Sequence, residues 1–218
     1  MSADTVLSVV AVEVGPLAEN AYIIGCSTGA GAVVVDPGEE GDKIKRVLDE
    51  RGWLLEKILI THGHFDHVGG VRFLKEQTGA QVCIHEADAE MMKSASLQAA
   101  VFGLRVIDPP PPDMFLKEGD IVRLGDQEIR VHHTPGHSRG HVVYCTAGMA
   151  FVGDLIFDGS IGRTDLPGGD HETLLRSVWE KIFTLAPDMI LFPGHGPATT
   201  VEKEMLGNPF FVGSGLRQ

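Results

Sequence analysis

Four short stretches of this 218-residue chain end in side chains that bind metals. Thr61-His-Gly-His-Phe-Asp-His67 gathers three histidines and an aspartate, and Pro135-Gly-His137, Gly153-Asp154 and Pro193-Gly-His195 follow it. Imidazole and carboxylate donors suit zinc, iron or manganese, and no cysteine lies among them to indicate a thiolate site. In an extended stretch, residues two apart share a side, so His62 and His64 can grip one ion together. Asp66 and His67 open the next helical pattern, point elsewhere and can serve a second ion. His62, His64, Asp66, His67, His137, Asp154 and His195 are too many ligands for one four-coordinate ion. They suit two ions bridged by Asp154, which stands alone after its strand. Two-metal hydrolytic sites of this kind hold ions about 3.5–4 Å apart around a bridging hydroxide. A single histidine at a strand end is ordinarily just solvated or hydrogen-bonded; four equivalent clusters are not.

Each cluster follows an apolar strand-like run. Ile58–Ile60 leads into His62, Ile129–His132 into His137, Ala150–Val152 into Asp154 and Met189–Phe192 into His195. Strands of similar polarity put their C-terminal ends at one edge, where open α/β sheets bind ligands. Further strands are expected at Val6–Val14, Ala21–Gly25, Ala32–Val35, Val82–Ile84, Ile121–Leu124 and Val142–Cys145. Helices are expected at 42–51, from about His67 to Gln77, at Glu86–Lys93, Glu172–Phe183 and Thr199–Leu206. Ala95–Asp113, with four consecutive prolines, reads as an irregular surface connection. Gly63, Gly69 and Gly70 remove side-chain bulk where the backbone must pass close to the site. Strands grouped between helices in both halves suggest a mixed sheet, or a pair of sheets, covered by helices.

The composition is that of a globular chain, 43% hydrophobic and 22% charged, and the length fits one domain. A net charge of −12 argues against nucleic acid as a partner. No apolar run is long enough to span a membrane and the N-terminus lacks a signal-peptide pattern, so a cytoplasmic location is expected. Cys26, Cys83 and Cys145 are isolated and read as buried, inert thiols.

HxHxDH followed by PGH, GD and PGH resembles the metallo-β-lactamase-fold hydrolases. Within them, the chain looks most like the short glyoxalase II-like (hydroxyacylglutathione hydrolase-like) proteins. Phe151 to Asp170, Pro193-Gly-His-Gly-Pro-Ala-Thr-Thr200 and Asn208-Pro-Phe210 carry that likeness. The resemblance implies a four-layer αββα sandwich of two mixed β-sheets over residues 1–218, without a separate C-terminal helical glutathione-binding domain. It implies that His62, His64 and His137 hold a first divalent ion, that Asp66, His67 and His195 hold a second, and that Asp154 bridges them. The implied activity is thioester hydrolysis of S-lactoylglutathione or a related S-acyl-glutathione by a metal-bridging hydroxide, with Asp66 and Asp154 as catalytic carboxylates. Arg163, Thr164 and Asp165 fall in the loop that contacts substrate in the full-length enzymes. There Arg163 can grip a carboxylate bidentately, while an ionised Asp165 cannot donate as a tyrosine would. Of the basic residues expected beyond Asn208-Pro-Phe210, Arg217 remains.

Three alternatives share the motif. A mono-iron persulfide dioxygenase would use His62, His137 and Asp154 and carries a Gly-Arg-Thr-Asp loop like Gly162–Asp165. A lactone or β-lactam hydrolase and a non-catalytic metal-binding protein are the others. Among the remaining polar residues, Thr61 is expected to hydrogen-bond within the ligand loop. His85, His132, His133 and His141 are expected to be structural, and His171 solvated.

Overall fold

Alternation along single strands builds the layers. The computed structural model describes residues 7–27 and 29–212, so Val6 and Arg217 lie outside the described residues. One sheet runs β1 (Leu7–Val14), β2 (Glu19–Cys26), β3 (Gly31–Val35), β4 (Leu54–Leu59), β5 (Gln81–His85), β6 (Met114–Leu116), in that order. It begins as an antiparallel meander and continues parallel from β3 onward. The second sheet contains β7 (Ile121–Leu124), β8 (Gln127–His133), β9 (Val142–Thr146) and β10 (Met149–Gly153). After a small β11 (Ile156–Phe157) and β12 (Ser160–Ile161) hairpin, β13 (Ile190–Pro193) joins β10 in parallel and β14 (Thr199–Thr200) closes that side.

Helices cover both outer faces. Packed against the first sheet are α1 (Gly41–Arg51), α2 (Phe65–Val68), α3 (Val71–Thr78), α4 (Ala89–Lys93) and α5 (Ala95–Val101). On the second sheet lie α6 (His171–Ser177), which continues as a wider turn over Val178–Ile182, and α7 (Val201–Gly207). Along β2, Ala21 and Ile23 face the helices with Ile44, Leu48 and Leu74. Their neighbours Tyr22 and Ile24 face the opposite sheet, against Val131, Tyr144 and Phe151. The period of two thus feeds two cores from one strand. A third core sets Val143, Val152 and Leu191 against Leu174, Val178 and Ile182. The architecture is the αββα sandwich of two mixed sheets.

The sandwich brings the ends of β4, β8, β10 and β13 to one edge. Gly194 N donates to Gly153 O at 2.9 Å, and Val142 N reaches across the sheets to Thr61 O at 2.8 Å. Two tyrosines tie the sheets just behind that edge. Tyr144 Oη donates to Ile60 O at 2.8 Å, and Tyr22 Oη to Pro193 O at 2.6 Å. Each hydroxyl satisfies a carbonyl two residues before a histidine of the site.

Two expectations need correction. The single helix from His67 to Gln77 is two helices, because the chain steps at Gly69-Gly70 to pass the carbonyls of Pro37 and Gly38. A Cβ at Gly70 would stand 2.9 Å from Gly38 O and 3.1 Å from Pro37 O. Gly63 likewise lets backbone pass backbone, since a Cβ there would stand 2.7 Å from Asp88 O and 2.8 Å from Met92 N. The irregular stretch after Ala95 begins with a real helix, α5, which stops at Phe102-Gly103 where Gly103 takes φ 73°.

Candidate metal centre

Three imidazole nitrogens meet at one point. His137 Nε2 lies 3.1 Å from His62 Nε2 and 2.8 Å from His64 Nδ1. Beside them, the donor atoms of Asp66, His67 and His195 lie within 4.8 Å of one another. Asp154 stands between the two groups. Its Oδ1 is 3.4 Å from His67 Nε2, and its Oδ2 is 3.7 Å from His137 Nε2 and 3.8 Å from His195 Nε2. All seven side chains singled out in the sequence are thus gathered at one place.

The ring orientations follow from hydrogen bonds on the far nitrogens. His137 Nδ1–H donates to Arg163 O at 2.7 Å and His195 Nδ1–H to Leu17 O at 3.1 Å. His67 Nδ1–H donates to Asp36 Oδ2 at 3.0 Å. Thr61 Oγ1–H also donates to that carboxylate, at 2.6 Å, so Thr61 Oγ1 accepts from His62 Nδ1–H at 3.0 Å. Four Nε2 atoms are consequently left facing the centre, the arrangement by which proteins orient metal-binding imidazoles. Thr61 does bond within the ligand loop, as expected.

Burial pushes His62 well below the ordinary imidazole value and, reinforced by His137, brings His64 down to about 3, so both are neutral donors at neutral pH. Burial works against ionised Asp66 and Asp154, but His67 and His195 outweigh it and hold both below the usual carboxylate range. Burial likewise opposes a charge on His67, and the surrounding Asp154, Asp66 and Asp36 overcome it and push that imidazole well up.

These residues fit a divalent cation. His67 Nε2 and Asp154 Oδ1 are buried, lack any hydrogen-bond partner and face one another. Buried polar atoms left without a partner are costly, and a cation seated between these two would engage both. The backbone makes room for them: a Cβ at Gly194 would collide with Asp154 Oδ1 and sit 2.6 Å from His67 Cε1. Asp36, His62 and His67 also lie close enough to form a third donor group. The oxygens of Asp36 are already taken by Thr61 N, Thr61 Oγ1 and His67 Nδ1, so this group orients rather than ligates.

In the loop expected to contact substrate, the two charged side chains face one another. Arg163 Nε and Nη2 make a two-pronged pair with Asp165, both at 2.8 Å, on an exposed surface. Thr164 is half-buried between them. What this loop gives the site is the Arg163 carbonyl that orients His137.

Sequence reasoning missed Asp36, Asp88 and Glu19. Asp36 follows β3 as Asp154 follows β10, and that second strand-end acid was a usable signal. Glu19 is 1% exposed, lies 3.7 Å from His67 Nδ1 and is pushed well up by burial. Of the other histidines, His141 is buried with Nδ1 on Thr134 Oγ1 and its ring stacked over His62. His85 and His133 stack on each other at 4.3 Å, and His132 faces Glu118. His171 opens α6, its ring 6.5 Å from that of Phe210.

The model of the metallo-beta-lactamase superfamily matches residues 14–195. The chain belongs to that superfamily. Hydroxyacylglutathione hydrolase GloC of Haemophilus influenzae is 40% identical over 183 residues, spanning 82% of this chain and 86% of its own. The crystal structure of BLEG-1 B3 metallo-beta-lactamase superposes with a TM-score of 0.89 at 34% identity, covering 94% of this chain and all of its own. TTHA1623 in a di-iron-bound form gives 0.85 at 41% identity, over 92% and 99%. With these relatives and the converging donors, the chain is a superfamily hydrolase whose clusters suit divalent metal. Among the described residues, no helix is long and apolar enough to cross a membrane.

Proposed function

We propose that the chain is a dinuclear-metal thioester hydrolase acting on S-lactoylglutathione or a related S-acyl-glutathione. The observation that carries the two-ion reading is Asp154, whose two oxygens reach the nitrogens of both triads. The thioester reading is supported by likeness to the hydroxyacylglutathione hydrolase GloC. His62, His64 and His137 would hold one ion, Asp66, His67 and His195 the other, and Asp154 both. The bound ions, zinc, iron or manganese, would acidify a water molecule and place positive charge beside the carbonyl oxygen.

The chain's own residues do the rest. Asp154 fixes the separation of the two donor sets. Asp66 Oδ2 faces His195 Nε2 at 3.2 Å and would hold the ion with it, which leaves Oδ1 to orient the attacking water and take its proton. Hydrolysis adds that water across the carbonyl carbon–sulfur bond. The sulfur leaves as a thiolate, a good enough leaving group to need no acid from the protein. Burial of His62, His64 and His137 keeps bulk water from the inner face of the site, while half-open His195 marks its mouth.

The test is metal analysis of the purified protein together with hydrolysis of S-lactoylglutathione. Two ions per chain and a rate far above an Asp154→Ala control are expected. One iron per chain with oxygen uptake on glutathione persulfide would replace this reading with the mono-iron dioxygenase.

A further inference from the structure

One buried carboxylate outside the seven donors joins both loops that carry the first triad. Asp88 precedes α4 and is fully buried. Its Oδ2 accepts from Gly63 N at 3.1 Å and from Ser138 Oγ at 2.6 Å, and its Oδ1 accepts from Gly140 N at 2.6 Å. Gly63 lies between His62 and His64, and Ser138 directly follows His137. A single side chain therefore spans the gap between the two-histidine arm and the third histidine.

The approach is tight on both sides. A Cβ at Gly63 would stand 2.7 Å from Asp88 O, and one at Gly140 would stand 2.7 Å from Asp88 N and 2.8 Å from its Oδ1. Both glycines are thus dictated by the closeness of Asp88. A buried carboxylate is tolerable only when its oxygens are satisfied, and here the donors that satisfy it come from the ligand loops themselves. None of its three bonds reaches a residue of the second triad. Glu204 offers a contrast: also buried, it accepts from Thr199 Oγ1, Asn208 Nδ2 and Gly159 N, none in a loop bearing the first triad.

We propose that Asp88 is the positioning residue of the His62–His64–His137 triad, setting the gap across which that triad grips its cation and leaving the Asp66–His67–His195 triad untouched. This inference rests on the two-ion reading above.

The test is titration of chelator-stripped protein with zinc against a chromophoric chelator, with thermal unfolding alongside. His64→Ala identifies which of two affinities belongs to the first triad. In Asp88→Asn, Gly63 N loses its acceptor. That affinity is expected to fall about 10–100-fold, as when supporting partners of ligands are removed, with the other unchanged. Ser138→Ala should weaken the same ion by less, and it decides the matter if Asp88→Asn does not fold. Glu204→Gln should lower the melting temperature and leave both affinities as they were, which separates positioning from general stability. Wild-type affinities in both Asp88→Asn and Ser138→Ala, or equal weakening of both ions, would overturn the proposal. A wild-type chain that takes up fewer than two ions would overturn the two-ion reading instead.

Discussion

The two triads share one edge of the sandwich and differ in almost everything else. The first is three buried imidazoles, two of them held neutral by burial. The second is an aspartate and two histidines, with His195 27% exposed at the side chain and with Glu19, Asp36 and Asp154 close to His67. The same residue type is consequently tuned in opposite directions within a few ångströms. Burial wins at His62 and His64, whereas carboxylate neighbours overcome it at His67 and His195. The proximity of acids, rather than depth alone, decides the protonation of an imidazole here.

Asp154 is where the contrast should fail most completely, since it faces both triads. Asp154→Ala is expected to weaken both ions and lower thioester turnover by about 100-fold or more. Loss of one ion only would show that the halves are independent. Asp36→Asn should cut the affinity of the His67-containing triad about 10-fold, because His67 loses the charge that orients it. A larger effect on the His64-containing triad would reverse the assignment of roles.

Acid sensitivity of metal-free protein sharpens the difference further. His64 has a folded pKa of about 3, below its unfolded value, so its contribution to stability is present above about pH 6.5 and is lost as pH falls. His195 has a folded pKa raised by Asp66, so its contribution is present at low pH and lost as pH rises through that value. His64→Asn should therefore flatten the loss of stability between pH 6 and 4 by up to about 1.4 kcal/mol per pH unit. His195→Asn should leave the slope between pH 6 and 4 nearly unchanged and should instead remove a loss of stability as pH rises above about 6.5; denaturant melts of chelated protein from acid to mildly alkaline pH read both effects. The smallest effects are expected at the tyrosine ties. Tyr144→Phe and Tyr22→Phe each remove one buried donor and should cost about 1–2 kcal/mol of stability. Tyr144→Phe should loosen the His62 side and Tyr22→Phe the His195 side.

The seven donor residues were legible because chemistry and punctuation coincide in the chain: an apolar run, a glycine, then a histidine or acid. Strand alternation likewise revealed the layers, since Tyr22 and Ile23 differ in partner by one step along β2. The supporting residues were hidden for a physical reason. Asp36 reads as a turn acid in Val35-Asp-Pro-Gly38, and Asp88 as a helix-start acid in His85-Glu-Ala-Asp88. Their partners lie far along the chain, as with Ser138 at 50 positions from Asp88. The break at Gly69-Gly70 was masked because the apolar spacing continues across it, and only the carbonyls of Pro37 and Gly38 enforce the step.

The turn between β6 and β7 divides the donors in a telling way. His62, His64, Asp66 and His67 precede it, and His137, Asp154 and His195 follow it. Neither segment owns a complete triad, since one lacks His137 and His195 and the other lacks everything those two answer to. Cut at that turn, the chain would part the donors of both triads between two fragments, and under the two-ion reading a divalent ion would favour their reunion while a chelator would oppose it.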